Sequence, residues 1–589
     1  MANYLGNLSW GIVPLNWSTT NLATMSWDYR SNYLKSANDQ LRYQVQWTKA
    51  NLNEGVEPSA GNYTGGKGDI VNAIFKVETT VDGTNWTTIG TIKKSRDIAN
   101  KRYATGAAAS DHRFTIDISQ LVSDQLSYSL CPINKGTWQS AFYGGMNGGA
   151  VMQDNVIGTS PISNYNVSEN GTFRRVKVTV TFDIINGNGE IVDAGYTLSH
   201  TPYVTAINSV NQFERDSVYY NKYTVDYSTG YNFLTRCPNF SDGSTNEDFK
   251  KPVRIDEQAE WLQFYIRRNY SNEIRGVGLD DVVGADAIKI VTYDSSGIEN
   301  TFYLRDFEDN LLTQVSNGFV LPENYQQQMF IQNISPDYII NSGNVWSPNN
   351  TRSNSPSNYP YWNTYTSNTI TSNTIYYTAE LVKIGMWSPY TVRVVSSSYK
   401  YTIDRESENI PYGFVRFHWL NSMGAIDSYT AKRDVVEGLT ISRSVVERNS
   451  ADRTWYQANS SNDNGSESNP LNTSLYVSDT MRGGNLYKGG REVSNVDADK
   501  VQSVYTEPLN KSVAKWLEEM LLSPNVWIEK DTEATAKGYS SNPYLRPSTK
   551  GYIPVIITNS DAETVNQAEG LVKFNIEYTL AHKVQTQRN

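Results

Sequence analysis

Alternation of apolar and polar residues is the dominant pattern along this chain of 589 residues. Between Val176 and Ile184, every second residue is apolar and the residues between them are polar or charged. A period of two predicts a β-strand with one buried face. The turn sequence Asn186-Gly187-Asn188-Gly189 follows, and the chain returns through Ile191. Because asparagine and glycine adopt the positive φ angles of tight turns, the segment predicts a β-hairpin.

Two more segments predict hairpins of the same kind. One runs from residue 74 to residue 92 with a turn at Asp82-Gly83, and the other runs from residue 287 to residue 304 with a turn at residues 294–297. A further strand is predicted over residues 260–268, where Leu262, Phe264 and Ile266 fall on one face. Repeated hairpins joined by Asn, Gly and Ser turns are typical of antiparallel β-sandwiches. The sequence therefore predicts a mainly β fold.

One helix is predicted near the C terminus, over residues 506–522. Six apolar side chains fall on one stripe at helical spacing: Leu509, Val513, Trp516, Leu517, Met520 and Leu521. Such a stripe is the buried side of an amphipathic helix. Thr506 is the expected N-cap, and Pro524 follows the expected end. Three strands are predicted after the helix, over residues 525–529, 552–558 and 572–580.

The order of these elements predicts three regions. Residues 1–200 form a first antiparallel β-sandwich, residues 201–445 form a second, and residues 446–589 form a small α+β module of loop, helix and strands. Two stretches, residues 341–378 and 457–474, consist mostly of small polar residues and, in the first, tyrosine. Each is too polar to hold a core. Each is therefore either a long surface loop or an arm that orders against a neighbouring subunit.

The charge balance narrows the possible partners. The formal net charge of −10 argues against a surface that binds nucleic-acid phosphates, so we expect no sequence-specific nucleic-acid binding. An acidic protein can still line a channel through which DNA passes without adhering. The 40 tyrosines and 14 tryptophans favour strands and large, partly polar interfaces.

Targeting signals and cysteine frameworks are not recognisable. The first residues lack a basic region and a long apolar run, and no stretch approaches the roughly 18 apolar residues of a membrane helix. We therefore expect a chain that is made and folded in a cytoplasm and is not inserted into a membrane. Cys131 and Cys237 are too few for a disulfide framework or a four-cysteine zinc site, and we expect inert side chains at turns.

Motifs for catalysis, cofactors and metals are also missing. The histidines are far apart, and no metalloprotease, redox-cysteine or serine-hydrolase motif occurs; they are His112, His200, His418 and His582. Two acidic clusters lack the carboxylate spacing of a calcium loop, namely Asp280, Asp281 and Asp286, and Asp463 to Glu467. We expect no catalytic, cofactor-binding or metal site. Glycoside hydrolysis stays open, because its two carboxylates leave no spacing rule in a sequence.

The run Phe417–Tyr429 is a candidate site with two interpretations, a catalytic site or a structural hairpin. It predicts a strand, a tight turn at Gly424 and a return strand. In a catalytic site, His418 and Asp427 would pair as base and orienter. Without a nucleophile motif, the run is better interpreted as a rigid hairpin with His418 at a surface or interface. Replacement of His418 by glutamine is then expected to be nearly silent, whereas Gly424→Val damages folding or assembly.

A family resemblance rests on the same run. Residues 416–429, RFHWLNSMGAIDSY, resemble a motif of tail proteins in tailed bacteriophages. The C-terminal order is a helix, a strand at Val526-Trp527-Ile528, a strand at residues 552–557 and a final alternating strand. This order is similar to tail structural proteins of short-tailed phages of Bacteroidetes, including the crAss-like group. Residues 114–119 also resemble the N-terminal sandwiches of these proteins.

The resemblance implies a virion protein of the tail hub or a tail ring, synthesised in the cytoplasm of the bacterial host. It implies a symmetric ring of identical subunits that contacts neighbouring tail proteins around the DNA conduit. Such proteins carry no catalytic residues to transfer, so the leading hypothesis is a non-enzymatic structural component. The alternatives are a tail-associated receptor- or glycan-binding protein and, less favoured, a virion glycosidase.

Overall fold

The structure is a computed structural model that describes the elements of the chain in separate ranges. These are residues 7–12, 34–38, 41–48, 70–80, 86–95, 112–126, 133–134, 173–185, 190–199, 204–210, 233–241, 249–255, 258, 260–267, 287–304, 327–341, 345–348, 362–365, 367–384, 392–405, 414–448, 490–531, 549–559 and 571–581. Within them, 65% of the residues lie in strands and 9% in helices, which confirms the predicted mainly β fold.

The N-terminal elements form two sheets that share a core, and one short strand among them joins a later sheet. They are β1 (Asn7–Ile12), β2 (Leu34–Ser36), β3 (Arg42–Thr48), β4 (Ile70–Thr80), β5 (Thr87–Ser95), β6 (His112–Asp117), α1 (Ser119–Ser123), β7 (Ile133–Asn134), β8 (Phe173–Ile185), β9 (Ile191–Ser199) and β10 (Val204–Ile207). One sheet has the order β1-β3-β6, and the other has the order β2-β10-β8-β4-β5 with β9 beside β8. Apolar side chains of both sheets, such as Val45 and Phe75, pack in one buried cluster. Period-two alternation therefore buries one face of each sheet against the other.

The middle elements form a larger sheet and a separate strand pair. They are β11 (Phe240–Ser241), β12 (Lys251–Arg254), β13 (Trp261–Arg267), β14 (Ala287–Asp294), β15 (Gly297–Leu304), β16 (Gln327–Asn333), α2 (Pro336–Asn341), β17 (Val345–Pro348), β18 (Trp362–Thr364), β19 (Tyr376–Ile384), β20 (Val392–Val394) and β21 (Ser398–Asp404). The sheet order is β11-β21-β19-β14-β15-β17-β18, with β12 beside β21 and β20 beside β19. Strands β13 and β16 pair only with each other among the described strands.

The C-terminal elements form the third large sheet. They are β22 (Val415–Leu420), β23 (Ile426–Ala431), β24 (Arg433–Arg448), β25 (Gly490–Tyr505), α3 (Lys511–Leu522), β26 (Val526–Asp531), β27 (Thr549–Ile557) and β28 (Asn575–Leu580). The order is β23-β22-β26-β27-β28-β25-β24, with β7 beside β27. The buried side chains of α3 cover one face of this sheet and share a core with Phe417 and Ile576.

Strand pairing crosses the positions where regions were expected to end. Strand β10 pairs with β8, so the first pair of sheets continues beyond residue 200. Strands β22, β23 and β24 belong to the same sheet as β25 to β28, on both sides of residue 445. Strand β7 joins that sheet from the N-terminal part of the chain. The three-region division remains a prediction.

The three predicted hairpins are confirmed as the pairs β4–β5, β8–β9 and β14–β15. In the last of these, Asp294 Oδ1 accepts the backbone N–H groups of Ser296 and Gly297, and Gly297 has a φ of +131°. The expected turns at residues 82–83 and 186–189 lie outside the described residues. The strand predicted over residues 260–268 is β13.

The helix prediction needs a correction at its start. The helix begins at Lys511, not in the turn after Thr506, and its N-cap is Asn510, whose side chain accepts the Val513 N–H. Thr506 is instead buried, and its hydroxyl accepts the Phe574 N–H. Pro508 and Leu509 precede the helix, where Leu509 bridges to Val572. Residues 506–509 therefore pair with the segment around Val572 and Phe574 instead of forming the first turn of the helix.

The interpretation of residues 341–378 as a long loop without a core is wrong for its described parts. Strands β17 and β18 and the start of β19 lie within it. Tyr377 is fully buried, and its hydroxyl donates to the Ile334 carbonyl at 2.9 Å. A tyrosine ring supplies apolar area while its hydroxyl bonds a polar partner. A stretch of polar composition can therefore still contribute a core residue. The second stretch, residues 457–474, lies outside the described residues.

The turn between β22 and β23 is fixed by a close backbone approach. Gly424 has a φ of +82°, and a Cβ built on it would lie 2.8 Å from the Asn208 carbonyl oxygen. The adjacent Val210 N–H donates to the Ser422 carbonyl at 2.9 Å. Only glycine combines a positive φ with room for this contact. The expected hairpin and its glycine turn are thus confirmed, and the turn docks on the segment after β10.

We expect Gly424→Ala to lower the free energy of unfolding by about 3 kcal/mol, because it adds both backbone strain and a clash. The control is Gly195→Ala, since Gly195 also has a positive φ (+63°) but nothing lies within 4 Å of its built Cβ. Strain alone should cost this variant about 1 kcal/mol. Urea titrations of both variants measure the difference. Equal losses would show that the contact with Asn208 contributes nothing.

Candidate functional site

The hairpin β22–β23 is buried on both faces, which explains how it positions its side chains. Every residue of both strands is buried. Cross-strand pairs place Phe417 beside Tyr429 and Trp419 beside Asp427 on one face, whereas His418 lies beside Ser428 on the other. A strand with two buried faces needs partners for its polar side chains as well as its apolar ones.

Aromatic packing dominates the face that meets α3. The ring centroids of Trp419 and Trp516 are 5.2 Å apart, and those of Tyr429 and Trp516 are 6.3 Å apart. Asp427 lies among these rings and accepts the Trp516 Nε1–H at 2.9 Å. Burial raises the pKa of Asp427 above its ordinary value, although Lys251 acts in the opposite direction. Asp427 thus ties the helix to the sheet.

Three side chains that are joined by hydrogen bonds occupy the opposite face, and we call them the hydrogen-bonded chain. The Ser428 hydroxyl lies 2.9 Å from His418 Nδ1, and His418 Nε2 lies 2.9 Å from Glu529 Oε2. Burial lowers the pKa of His418, and the Arg416 charge adds to this, although Glu529 acts in the opposite direction. A neutral imidazole carries one N–H. Donation from Nε2 to Glu529 and acceptance at Nδ1 from Ser428 satisfies both ring nitrogens.

The hydrogen-bonded chain Ser428–His418–Glu529 has the connectivity of a nucleophile, a base and an acid. Its buried position prevents nucleophilic catalysis on a dissolved substrate. His418 is 0% exposed and Ser428 is 1% exposed. A dissolved substrate cannot approach the Ser428 hydroxyl without local unfolding of the hairpin. The arrangement therefore serves to satisfy buried polar groups, each of which would otherwise carry a desolvation cost.

The expected position of His418 is thereby corrected, and the pairing of the rejected catalytic alternative is not found. The histidine is not at the surface but fully buried, and on its face Arg416 and Thr430 contact the segment that carries Gln258 and Glu260. It does not pair with Asp427, because neighbouring cross-strand positions point to opposite faces of the hairpin. Ser428 and Glu529 are its partners instead.

Next to this chain lies a buried ion network centred on Glu260. Its carboxylate accepts from Lys251 Nζ and, at 2.6 Å, from an Arg416 guanidinium nitrogen. All three side chains are at most 4% exposed. Burial alone would raise the pKa of Glu260, but the two neighbouring cations outweigh burial and hold it below its ordinary value. Thr430 extends the network by accepting from Arg416 and donating to Gln258.

The open edge of β23 is covered by a single side chain. Gln263 Oε1 accepts the Ile426 N–H at 3.0 Å, and Gln263 Nε2 donates to the Ile426 carbonyl at 3.2 Å. An amide side chain thus imitates a neighbouring strand and satisfies both backbone groups. Asn421 completes the corner, because its Nδ2 donates to the Leu234 carbonyl. The edge is therefore closed to a further strand at this point.

The remaining candidate residues are distributed as follows. His112 lies in β6, and Cys237 is buried in the C-terminal core. Outside the described residues lie Cys131, His200, Asp280, Asp281, Asp286, Asp463, Glu467 and His582. Sequence reasoning missed Glu260, Lys251 and Glu529, which are distant in the chain from Arg416 and His418. The available signal was an arginine and a histidine inside an otherwise apolar strand.

The paired strands β24 and β25 form a second candidate, which we call the arm. Both strands are 16 residues long, and β28 pairs only with Val501–Tyr505 of β25. At about 3.3 Å per residue, the rest of β25 extends about 35 Å beyond β28. Side chains of β24 from Val436 to Val446 are exposed. An isolated two-stranded ribbon is marginally stable in water, so a partner that covers the arm would stabilise it.

One face of the arm is more apolar than the other. Cross-strand register places Leu439, Ile441 and Val445 with Val493, Val496 and Ala498 on one face, which also carries Glu437, Arg443 and Lys500. The other face carries Thr440, Ser442, Ser444, Asn495, Asp497 and Asp499, together with Val436 and Val446. Leu439 is 56% exposed and Val445 is 53% exposed. Several large aliphatic side chains exposed along one face mark an interaction surface.

Comparisons with known proteins give no identity. No protein-family model matches the chain, and a search of curated proteins found no match. In the part of the chain that the structure describes, no helix has the length and apolar character needed to cross a bilayer. Within the same ranges, no group of three or more His, Cys, Asp or Glu side chains is placed to hold a metal ion. Geometry and the sequence resemblance are the basis for a functional proposal.

We now expect His418→Gln to lower the free energy of unfolding by about 2 kcal/mol at neutral pH, because it disturbs two buried hydrogen bonds. The native state disfavours protonation of His418, whose ordinary pKa is 6.5, whereas the unfolded chain does not. Wild-type stability from this group is therefore present above pH 6.5 and lost as the pH falls below it. The cost of the substitution should shrink accordingly. Urea titrations between pH 7.5 and 5.5 test this; a cost that is near zero at every pH contradicts the buried position.

Arg416→Met should lower the free energy of unfolding by about 3 to 5 kcal/mol, because it leaves the buried Glu260 carboxylate with one cation instead of two. The control is Lys93→Met, which breaks a pair with Asp183 in which the lysine is 53% exposed. An exposed pair contributes about 0 to 1 kcal/mol. Thermal and urea unfolding of the two variants give the comparison. A loss as small as that of the control would mean that Arg416 does not stabilise Glu260.

Proposed function

We propose that the protein is a non-enzymatic structural component of a bacteriophage virion tail, in the hub or a ring. Its work is assembly: identical subunits associate and contact neighbouring tail proteins around the DNA conduit. The family part of this proposal rests on the resemblance of residues 416–429 and of the C-terminal element order. The assembly part rests on the arm.

The single observation that carries assembly is the exposed apolar face of the arm. A folded chain with this ribbon in water would expose Leu439, Ile441 and Val445 of this face at 42% or more of their surface. Burial of apolar surface stabilises by about 25 cal/mol per Å². Contact with another protein is the simplest way to gain that free energy for a ribbon that projects from its own domain.

The buried centre of the protein suits the same role. The hairpin β22–β23 carries Arg416, His418 and Ser428 in buried hydrogen bonds instead of presenting them to solvent. Such a network specifies one arrangement of the surrounding strands. A rigid subunit suits a particle in which many copies must repeat the same contacts. The net charge of −10 also suits a protein beside DNA, because it disfavours adhesion.

The test is localisation in particles of the phage that encodes the chain. Gold-labelled antibodies raised against the recombinant protein should bind at the tail, and mass spectrometry should find the protein in purified virions. Particles made without the gene should have incomplete tails. Absence of the protein from virions, or complete tails without it, would refute the proposal.

Assays on the recombinant chain separate the proposal from its alternatives. A glycan array and zymography on host polysaccharide should both be blank. Binding to a defined glycan together with normal tails in the gene deletion would favour the receptor-binding alternative. Cleavage of polysaccharide that is lost on substitution of one carboxylate would favour a glycosidase.

A further inference from the structure

We infer that the arm binds a second copy of this chain by pairing β24 with β24 of that copy, antiparallel and centred on Thr440. The two arms would then form one continuous four-stranded ribbon with the order β25-β24-β24-β25. The inference rests on the arm alone and holds whether or not the protein belongs to a phage tail.

The first observation is an open strand edge. Strand β24 is the last strand of its sheet, and β25 is its one neighbour among the described strands. It is 16 residues long, without proline. Native proteins usually shorten or cover such edges, because unpaired N–H and C=O groups are a template for another strand. At the other end of the same sheet, the edge of β23 is covered by Gln263.

The second observation is that residues 437–443 of β24 are chemically complementary about Thr440. Antiparallel pairing centred there places each residue opposite the residue equally far on the other side of Thr440. Leu439 meets Ile441 of the second copy. Thr440 meets itself, and threonine pairs are favourable across strands. The large apolar side chains next to the centre are therefore matched in this register, whereas Val436 lies opposite Ser444 on the other face.

Charge follows the same symmetry. Glu437 lies three residues before Thr440, and Arg443 lies three residues after it. The pairing thus places Glu437 opposite Arg443 of the second copy, twice per dimer. A register shifted by two residues loses these opposite-charge pairs, so the charges select the centre.

The existing contacts of Glu437 leave this pairing possible. Within its own chain, Glu437 accepts from Gln502 through Oε1 and pairs with Lys500 through Oε2 at 2.6 Å. Its side chain remains 48% exposed in that arrangement. A carboxylate has four acceptor positions, so Arg443 of a second copy adds to these partners without replacing them.

A two-fold axis through the Thr440 pair is also consistent with the faces of the arm. Edge pairing places the apolar faces of both arms on the same side and brings the Leu439 and Ile441 side chains of the two copies together. The polar faces, with Ser442 and Asp499, stay on the opposite side. The interface is the same patch on both copies, as in isologous dimers.

A cysteine at the axis tests the register directly. In Thr440→Cys, the two cysteines would have Cα atoms about 4.5 to 5.5 Å apart, within the range of a disulfide. In the control Ser442→Cys, the same two-fold axis separates them by four residues, roughly 13 Å. Mild oxidation of the full chain should give at least roughly tenfold more covalent dimer for Thr440→Cys, measured on non-reducing gels with the wild type as baseline.

Two outcomes of this experiment overturn the inference. Equal yields from the two variants would mean unspecific collision of arms. Absence of covalent dimer from Thr440→Cys would mean that the edge is closed, for example by residues 449–489 of the same chain or by another protein. Both positions lie on the exposed polar face of the arm, so neither variant should disturb folding.

Charge exchange tests the partner itself. Arg443→Glu places two like-charged pairs in the dimer, and Glu437→Arg does the same with the opposite sign. Each variant alone should dissociate at concentrations at least roughly tenfold above the wild type in analytical ultracentrifugation. An equimolar mixture restores both opposite-charge pairs and should form heterodimers. Variants that associate like the wild type, or a mixture that stays dissociated, would refute pairing between copies.

Discussion

Glu260 accepts from Lys251 of β12 and from Arg416 of β22, and these strands belong to different sheets. The carboxylate therefore fixes the middle sheet against the C-terminal sheet. Removal of either cation would leave a buried charge with too little compensation, so the two sheets cannot slide without a large cost. The chain Ser428–His418–Glu529 and the amide of Gln263 lie beside this carboxylate and depend on the same alignment.

Sequence periodicity was sufficient to locate the strands that have one buried face. The hairpins β4–β5, β8–β9 and β14–β15 alternate clearly, and their partners are adjacent in the chain. The same reasoning located the hairpin β22–β23 and its glycine. The same reasoning could not predict that His418 is buried. A strand that is buried on both faces shows no alternation that distinguishes a buried face from an exposed one, and the residues that cover His418 lie far away in the sequence.

Long-range pairing also explains the other differences. Leu509 pairs with Val572, which delays the helix to Lys511 although the apolar stripe begins earlier. Tyr377 is a core residue inside a polar stretch, because its hydroxyl finds the Ile334 carbonyl. For the candidate site, the sequence indicated the right hairpin and the absence of a nucleophile motif. The sequence could not predict the ion network, because its three members come from separate segments of the chain.

The separation of these partners has a consequence for synthesis. His418 and its acceptor Glu529 are 111 residues apart. At roughly 5 to 20 residues per second, a ribosome needs on the order of 6 to 20 seconds to make that interval. During this time Trp419 lacks both β26 and the α3 tryptophan, and His418 lacks its acidic partner Glu529 from β26. The central hairpin is thus a late-maturing element of the nascent chain, because its polar and aromatic partners are made last.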